Sequence, residues 1–225
     1  MVDVVRLTEI LEELKPYQAV LVAVSKTKSV EAIREVYDTG HKIFGENYVQ
    51  EMVDKHEQLS KDIQWHFIGH LQTNKVKVIA SFVSLIHGVD SMKLLKEINK
   101  EAQKNNRVIN CLLQIHIAQE DTKFGLSFEE AEQLLQSNEL KDLKNISIKG
   151  FMGMATLTDG EQQIRKEFRL LKGKFDEAKV KSEIRNHKLE VLSMGMSSDY
   201  KIALEEGSNM IRIGSAIFGE RNGSV

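Results

Sequence analysis

Along the chain, short apolar runs alternate with longer stretches in which apolar residues recur every three or four positions among charges. The runs are AVLVAVS (19–25), KIFGEN (42–47), IQWHFIG (63–69), SLIHGV (84–89), INCLLQIHI (109–117), ISIKGFMGM (146–154), LEVLSMGM (189–196) and MIRIGSAIFG (210–219), eight in all. Short apolar runs bounded by turn residues predict buried strands. The intervening SVEAIREVYDTG, SMKLLKEINKEAQKN and FEEAEQLLQSNEL carry the spacing of amphipathic helices. EVYDTG ends on a glycine, as a helix C-terminus does. Ser127 followed three residues later by Glu130 predicts a capping box. A further helix over 3–15, DVVRLTEILEELK, precedes the first strand and ends near Pro16.

Strands that alternate with helices pair in parallel. Eight such units in about 200 residues predict an α/β protein, a single (β/α)8 TIM-type barrel over 1–225 with an extra N-terminal helix. The rival, a doubly wound dinucleotide-binding sheet, would carry GxGxxG after its first strand, where this chain has SKTKS. No glycine- or proline-rich linker and no repeat beyond the strand–helix alternation divides the chain.

Composition narrows the function classes. A formal net charge of −2 argues against a nucleic-acid partner. The single cysteine, Cys111, excludes an intramolecular disulfide and a cysteine-based zinc site, and its apolar context predicts a buried structural thiol. The N-terminus lacks a basic-then-apolar leader, and no apolar run approaches membrane-spanning length. The expectation is a soluble cytoplasmic monomer with no membrane partner.

In a barrel, function collects at the C-terminal ends of the strands, and phosphate often binds after strands seven and eight. The first strand ends at Lys26, an amine where a turn residue would be ordinary. The second runs into Glu46 and Asn47. The last two runs bring Gly195, Ser197, Ser198, Gly214 and Ser215, whose backbone and hydroxyl donors suit an anion. Asp199 is placed to cap the helix after strand seven. Arg212 shares a strand face with Gly214. Turned inward, its guanidinium requires either a barrel carboxylate or a ligand acceptor. A ligand with a phosphate, an aldehyde and a ring nitrogen would use all of these groups.

The segments AVSKTKS, FGENYVQE, WHFIGHLQTNK, DTKFGLS, GFMGMAT and LSMGMSSDYKIALEEGSNMIRIGSAIFGER together resemble the pyridoxal phosphate homeostasis family, in order and over nearly the whole chain. The resemblance implies a barrel like the alanine racemase N-terminal domain that binds pyridoxal 5′-phosphate (PLP). It makes Lys26 the Schiff-base lysine, puts Ser197, Gly214 and Ser215 around the phosphate, sets Arg212 against the pyridine nitrogen, and brings Asn47 near the ring edge. Lys28 and Lys123 are either transient amines or solvated surface groups.

An arginine keeps the ring nitrogen unprotonated, which weakens the electron sink that carbanion chemistry needs. Racemisation also requires a proton donor on each face of the substrate. Lys26 supplies one, and neither Tyr48 nor Tyr200 corresponds to the second-domain tyrosine of the racemases. The expectation is a PLP carrier without turnover of its own and with no catalytic residues, partnered by PLP and by PLP-dependent apo-enzymes. A small PLP-dependent amino-acid racemase is the alternative, and an imine-forming phosphosugar enzyme is a third possibility that the motif match disfavours. His66 and His70 stand four apart but on a strand end, where packing or hydrogen bonding is favoured over metal.

Overall fold

The computed structural model describes residues 2–119, 124–181 and 188–220. Its first half comprises α1 (Val4–Leu14), β1 (Val20–Val24), α2 (Val30–Asp38), β2 (Ile43–Glu46), α3 (Val49–Gln58), β3 (Gln64–Phe67), α4 (Val76–Ile79), β4 (Leu85–Val89) and α5 (Met92–Lys104). The second half comprises β5 (Ile109–Ile115), α6 (Phe128–Gln136), α7 (Asn138–Lys141), β6 (Ile146–Gly153), α8 (Glu161–Lys181), β7 (Val191–Ser193), α9 (Tyr200–Glu205), β8 (Met210–Ile213) and α10 (Ser215–Phe218). The eight strands are parallel, each pairs with its sequence neighbours, and β1 closes the barrel on β8.

Local chemistry sets the boundaries. Asp3 accepts from the Arg6 N–H at 2.8 Å to start α1, and Pro16 stops that helix in one 3-10 turn over Lys15–Tyr17. Ser29 and Ser91 cap α2 and α5. The Ser127–Glu130 capping box forms as predicted. Gly150 stands at φ +154, and a Cβ there would fall 1.7 Å from the Val191 carbonyl oxygen. β6 therefore comes against β7 only because this position is glycine.

Two apolar layers hold the fold. The larger lies between barrel and helices and contains the fully buried Phe44, Trp65, Phe67 and Phe168. Each such side chain contributes about 1.5–3 kcal/mol over its exposed state. The smaller layer, Val22, Leu85, Leu112, Met152 and Met210, fills the barrel interior, so it is a packed core and not a pore. Cys111 is fully buried, as its context predicted.

The sequence runs extend beyond the strands at the mouth. Only Val191–Ser193 of the seventh run and Met210–Ile213 of the eighth are strand, and SAIF of the eighth is the short helix α10. The backbone leaves the sheet near Gly195 and Gly214, which frees its amides for the mouth. No helix among the described residues is long and apolar enough to cross a membrane.

Candidate functional site

Counting inward positions by twos up each strand separates the interior into levels. Leu85, Val191 and Met210 belong to the apolar floor. Two residues further along stand His87, Ser193 and Arg212, all at most 4 % exposed. His66, in register with Leu85 but within hydrogen-bond distance of His87, completes this polar belt. Two residues beyond Val24, Gly45, Ser193 and Arg212 come Lys26, Asn47, Gly195 and Gly214, at the mouth. The predicted Lys26, Asn47, Ser197, Arg212, Gly214 and Ser215 therefore gather at one end of one barrel.

Arg212 is inward, as expected from its alternation with Gly214. Its guanidinium donates to Ser193 Oγ at 2.6 Å and to the Gly153 carbonyl at 3.1 Å. Among the described residues it has no ion-pair partner, so the barrel-carboxylate explanation for its burial fails. Burial pushes its pKa down to about 10, opposed by the charge of Asp199, and it stays protonated at neutral pH.

Sequence reasoning missed what lies behind it. Ser193 Oγ is 3.3 Å from His87 Nδ1, and His87 Nε2 is 3.1 Å from His66 Nδ1. Burial holds His87 well below its ordinary value, with repulsion from His66 and Arg212 adding to it. Burial and the neighbouring His41 bring His66 down to about 3. Both rings are neutral at pH 7, so each carries one ring proton. Ser193 accepts from Arg212, and its hydroxyl bonds His87 Nδ1 as donor or as acceptor according to the histidine tautomer. The bonds form one chain from the guanidinium across the barrel to His66. His66 and His70 do not converge: His70 lies 3.4 Å from Asp90 and stacks on Phe124 with ring centres 4.4 Å apart. Period-two alternation could have found Ser193, which sits two residues before Gly195 as Arg212 sits two before Gly214.

The two loops after β7 and β8 form the anion-facing part of the mouth. Gly195 takes φ +98, and a Cβ there would lie 2.6 Å from Ala203 Cβ, so only glycine lets the loop fold onto α9. Asp199 takes the N-cap position of α9, as expected, but its side chain makes no capping hydrogen bond to that helix. Its carboxylate turns back to accept from the Met196 N–H at 2.6 Å, because the tight loop brings that amide within reach. Among the described residues, the amides of Ser197, Ser198, Ser215 and Ala216 have no protein acceptor. Asn47 Oδ1 is buried without a hydrogen-bond partner. Lys26 and Asn47 are both half-buried. An amine, a cluster of amide donors, an orphaned amide oxygen and a buried guanidinium fit a ligand that is anionic at one end, electrophilic at the other and basic on its ring.

Lys28 is not simply a solvated neighbour, since its Nζ donates to the Gly219 and Glu220 carbonyls, both at 2.9 Å. Lys123 lies outside the described residues. Tyr48 is exposed. The Tyr200 hydroxyl donates to Glu13 and accepts from Arg6, both at 2.6 Å, which ties α9 to α1. Burial and the Glu13 carboxylate push its pKa up to about 12. Among the described residues, no group of three His, Cys, Asp or Glu side chains could hold a metal ion.

A family model described as the alanine racemase N-terminal domain matches residues 6–222. The pyridoxal phosphate homeostasis protein of Aquifex aeolicus is 41 % identical over 204 residues, covering 90 % of this chain and 87 % of the relative. That of Escherichia coli K12 is 34 % identical over 211 residues, covering 92 % and 88 %. Among solved structures, PipY of Synechococcus elongatus with PLP bound superposes with a TM-score of 0.85 at 32 % identity, over 95 % of this chain and 98 % of PipY. An alanine racemase of Clostridium difficile shares the fold, with a TM-score of 0.74 at 15 % identity over 99 % of this chain and 59 % of the racemase.

Proposed function

This chain belongs to the pyridoxal phosphate homeostasis family, and on that premise we propose that it binds PLP at the mouth of its barrel, covalently at Lys26, and hands it on to PLP-dependent apo-enzymes without turning over a substrate. The observation that carries the proposal is the gathering of Lys26, the amides of the two loops after β7 and β8, and Arg212 at one mouth. When bound, PLP supplies an aldehyde that condenses reversibly with amines. Lys26 offers that amine. The Ser197, Ser198, Ser215 and Ala216 N–H groups and the Ser197 and Ser215 hydroxyls receive the phosphate. Asn47 contributes an acceptor at the rim.

Arg212 decides between holding and chemistry. A guanidinium has no lone pair to accept with, so it meets the ring nitrogen only as a donor. Ser193 and the histidine pair behind it provide no carboxylate that could protonate that nitrogen. A neutral ring withdraws electrons less than a pyridinium, which supports a carrier over a carbanion enzyme. The Tyr200 hydroxyl, engaged by Glu13 and Arg6, does not serve as a second proton donor.

The test is a visible spectrum of the purified protein with and without PLP, followed by borohydride reduction and peptide mass mapping. The expected result is an absorbance band fixed onto Lys26 and lost in Lys26→Ala. No chromophore after adding PLP would end the binding proposal. Racemase turnover on a panel of amino acids, lost in Lys26→Ala, would end the carrier proposal.

A further inference from the structure

Lys26 sits at the second position of a tight turn, Ser25–Lys28, closed by the Lys28 N–H donating to the Ser25 carbonyl at 3.0 Å. Thr27, at the third position, has φ +63. That is the left-handed region in which the third residue of a type II turn stands, and glycine is the ordinary occupant. A β-branched residue there is a genuine outlier that surrounding contacts must hold in place.

The contacts come from outside the barrel and grip both neighbours of Lys26. The Thr27 N–H donates to Glu51 Oε1 at 2.6 Å. The Ser25 carbonyl accepts from Lys55 Nζ at 2.7 Å, and the Ser25 hydroxyl donates to Glu46 Oε1 at 2.6 Å. Lys55 also donates to Glu46 at 2.7 Å and to Glu51 at 2.6 Å, so all three of its N–H groups are used. Lys55 is only 4 % exposed and Glu46 is fully buried. Buried ionic networks cost desolvation and are weak devices for stability. Here Glu46 Oε2 is buried without a partner, which adds to that cost. What the network delivers is geometry at two consecutive peptide groups on either side of one side chain.

We propose that Glu51 and Lys55 are positioning residues for Lys26, holding its turn in the Thr27-left-handed form that aims the amine into the barrel. The proposal rests on Lys26 being the attachment point for PLP. Without the clamp, Thr27 relaxes to negative φ and the turn carries Lys26 away from the mouth.

The clamp can be released without emptying the core, because the Glu51 side chain is 24 % exposed and lies at the surface end of the network. The experiment measures, in the full chain, the rate at which PLP becomes borohydride-fixable on Lys26, mapped by peptide mass, alongside thermal unfolding. Glu51→Ala is expected to slow attachment about tenfold, which corresponds to ~1.4 kcal/mol. Glu51→Gln keeps an oxygen for the Thr27 N–H and is expected to stay within about twofold of wild type. Adding Thr27→Gly to Glu51→Ala is expected to restore most of the rate, because glycine adopts positive φ unaided. A general loss of stability would not be rescued in this pattern. Attachment in Glu51→Ala within about twofold of wild type, or no recovery in the double variant, would overturn the clamp. No attachment to Lys26 in the wild type would overturn the PLP proposal itself, and the clamp with it.

Discussion

Replacing Ser193 with alanine isolates the polar belt, because it removes one oxygen and almost no volume. That oxygen receives the Arg212 guanidinium at 2.6 Å and stands 3.3 Å from His87 Nδ1. A hydrogen bond to a charged group contributes about 1.5–3 kcal/mol, and leaving the neutral buried His87 Nδ1 unpaired adds about 1 kcal/mol more. The expected loss is about 3 kcal/mol. For a domain of this size each kcal/mol lowers Tm by about 2–4 °C, so the melting point should fall by about 6–12 °C. Equilibrium urea unfolding followed by far-UV circular dichroism measures the difference, with an unchanged m value showing that the transition is the same one. Ser81→Ala, at an exposed position, serves as the control and should stay within about 0.5 kcal/mol. A Ser193→Ala loss below about 0.5 kcal/mol would show that the guanidinium does not depend on this oxygen.

Acid should probe the same belt. The folded state holds His66 and His87 below their ordinary value of 6.5, so the unfolded chain binds more protons and stability falls as pH drops below about 6.5. Each histidine contributes a slope of up to about 1.4 kcal/mol per pH unit until the folded pKa is reached, which for His66 is about 3. Urea midpoints between pH 7 and pH 4.5 should decline less steeply in His87→Gln than in wild type, and parallel slopes would contradict the assignment. Gly150→Ala should cost at least about 3 kcal/mol, since its Cβ would fall 1.7 Å from the Val191 carbonyl oxygen. A variant that unfolds at the wild-type urea concentration would refute the close approach of β6 and β7.

The barrel was legible because its strands are buried on both faces and read as continuous apolar runs. Ser127 with Glu130, and Pro16, mark helix ends. Lys26, Arg212 and the glycine-serine loops stood out because each breaks the local pattern: an amine ending a strand, a guanidinium inside one, small residues where a strand should continue. His87 gave no such signal. It occupies an apolar run in which a neutral imidazole passes as filler, and its role exists only through β3 and β7, which are distant in sequence. The clamp on Lys26 was hidden for a different reason. Lys55 and Glu51 have the spacing of an ordinary surface ion pair on a helix, and only the tertiary fold shows Lys55 to be buried against β1. Asp199 stands before its helix as the sequence predicts, but the direction of its side chain depends on a loop geometry that composition does not encode.

The bonds from Arg212 to Ser193 and to the Gly153 carbonyl bear on how cargo would leave. A buried cation that relied on its ligand for partners would turn that ligand into a trapped counter-ion, since departure would strand the charge in a dry interior. Arg212 instead keeps the Ser193 hydroxyl and the Gly153 carbonyl as partners, whether or not a ring stands in front of it. If PLP is held as proposed, its release breaks the bond at Lys26 and the contacts at the rim without taking a counter-ion from Arg212. A carrier of the kind proposed needs its deepest charge to keep its partners when the cargo leaves.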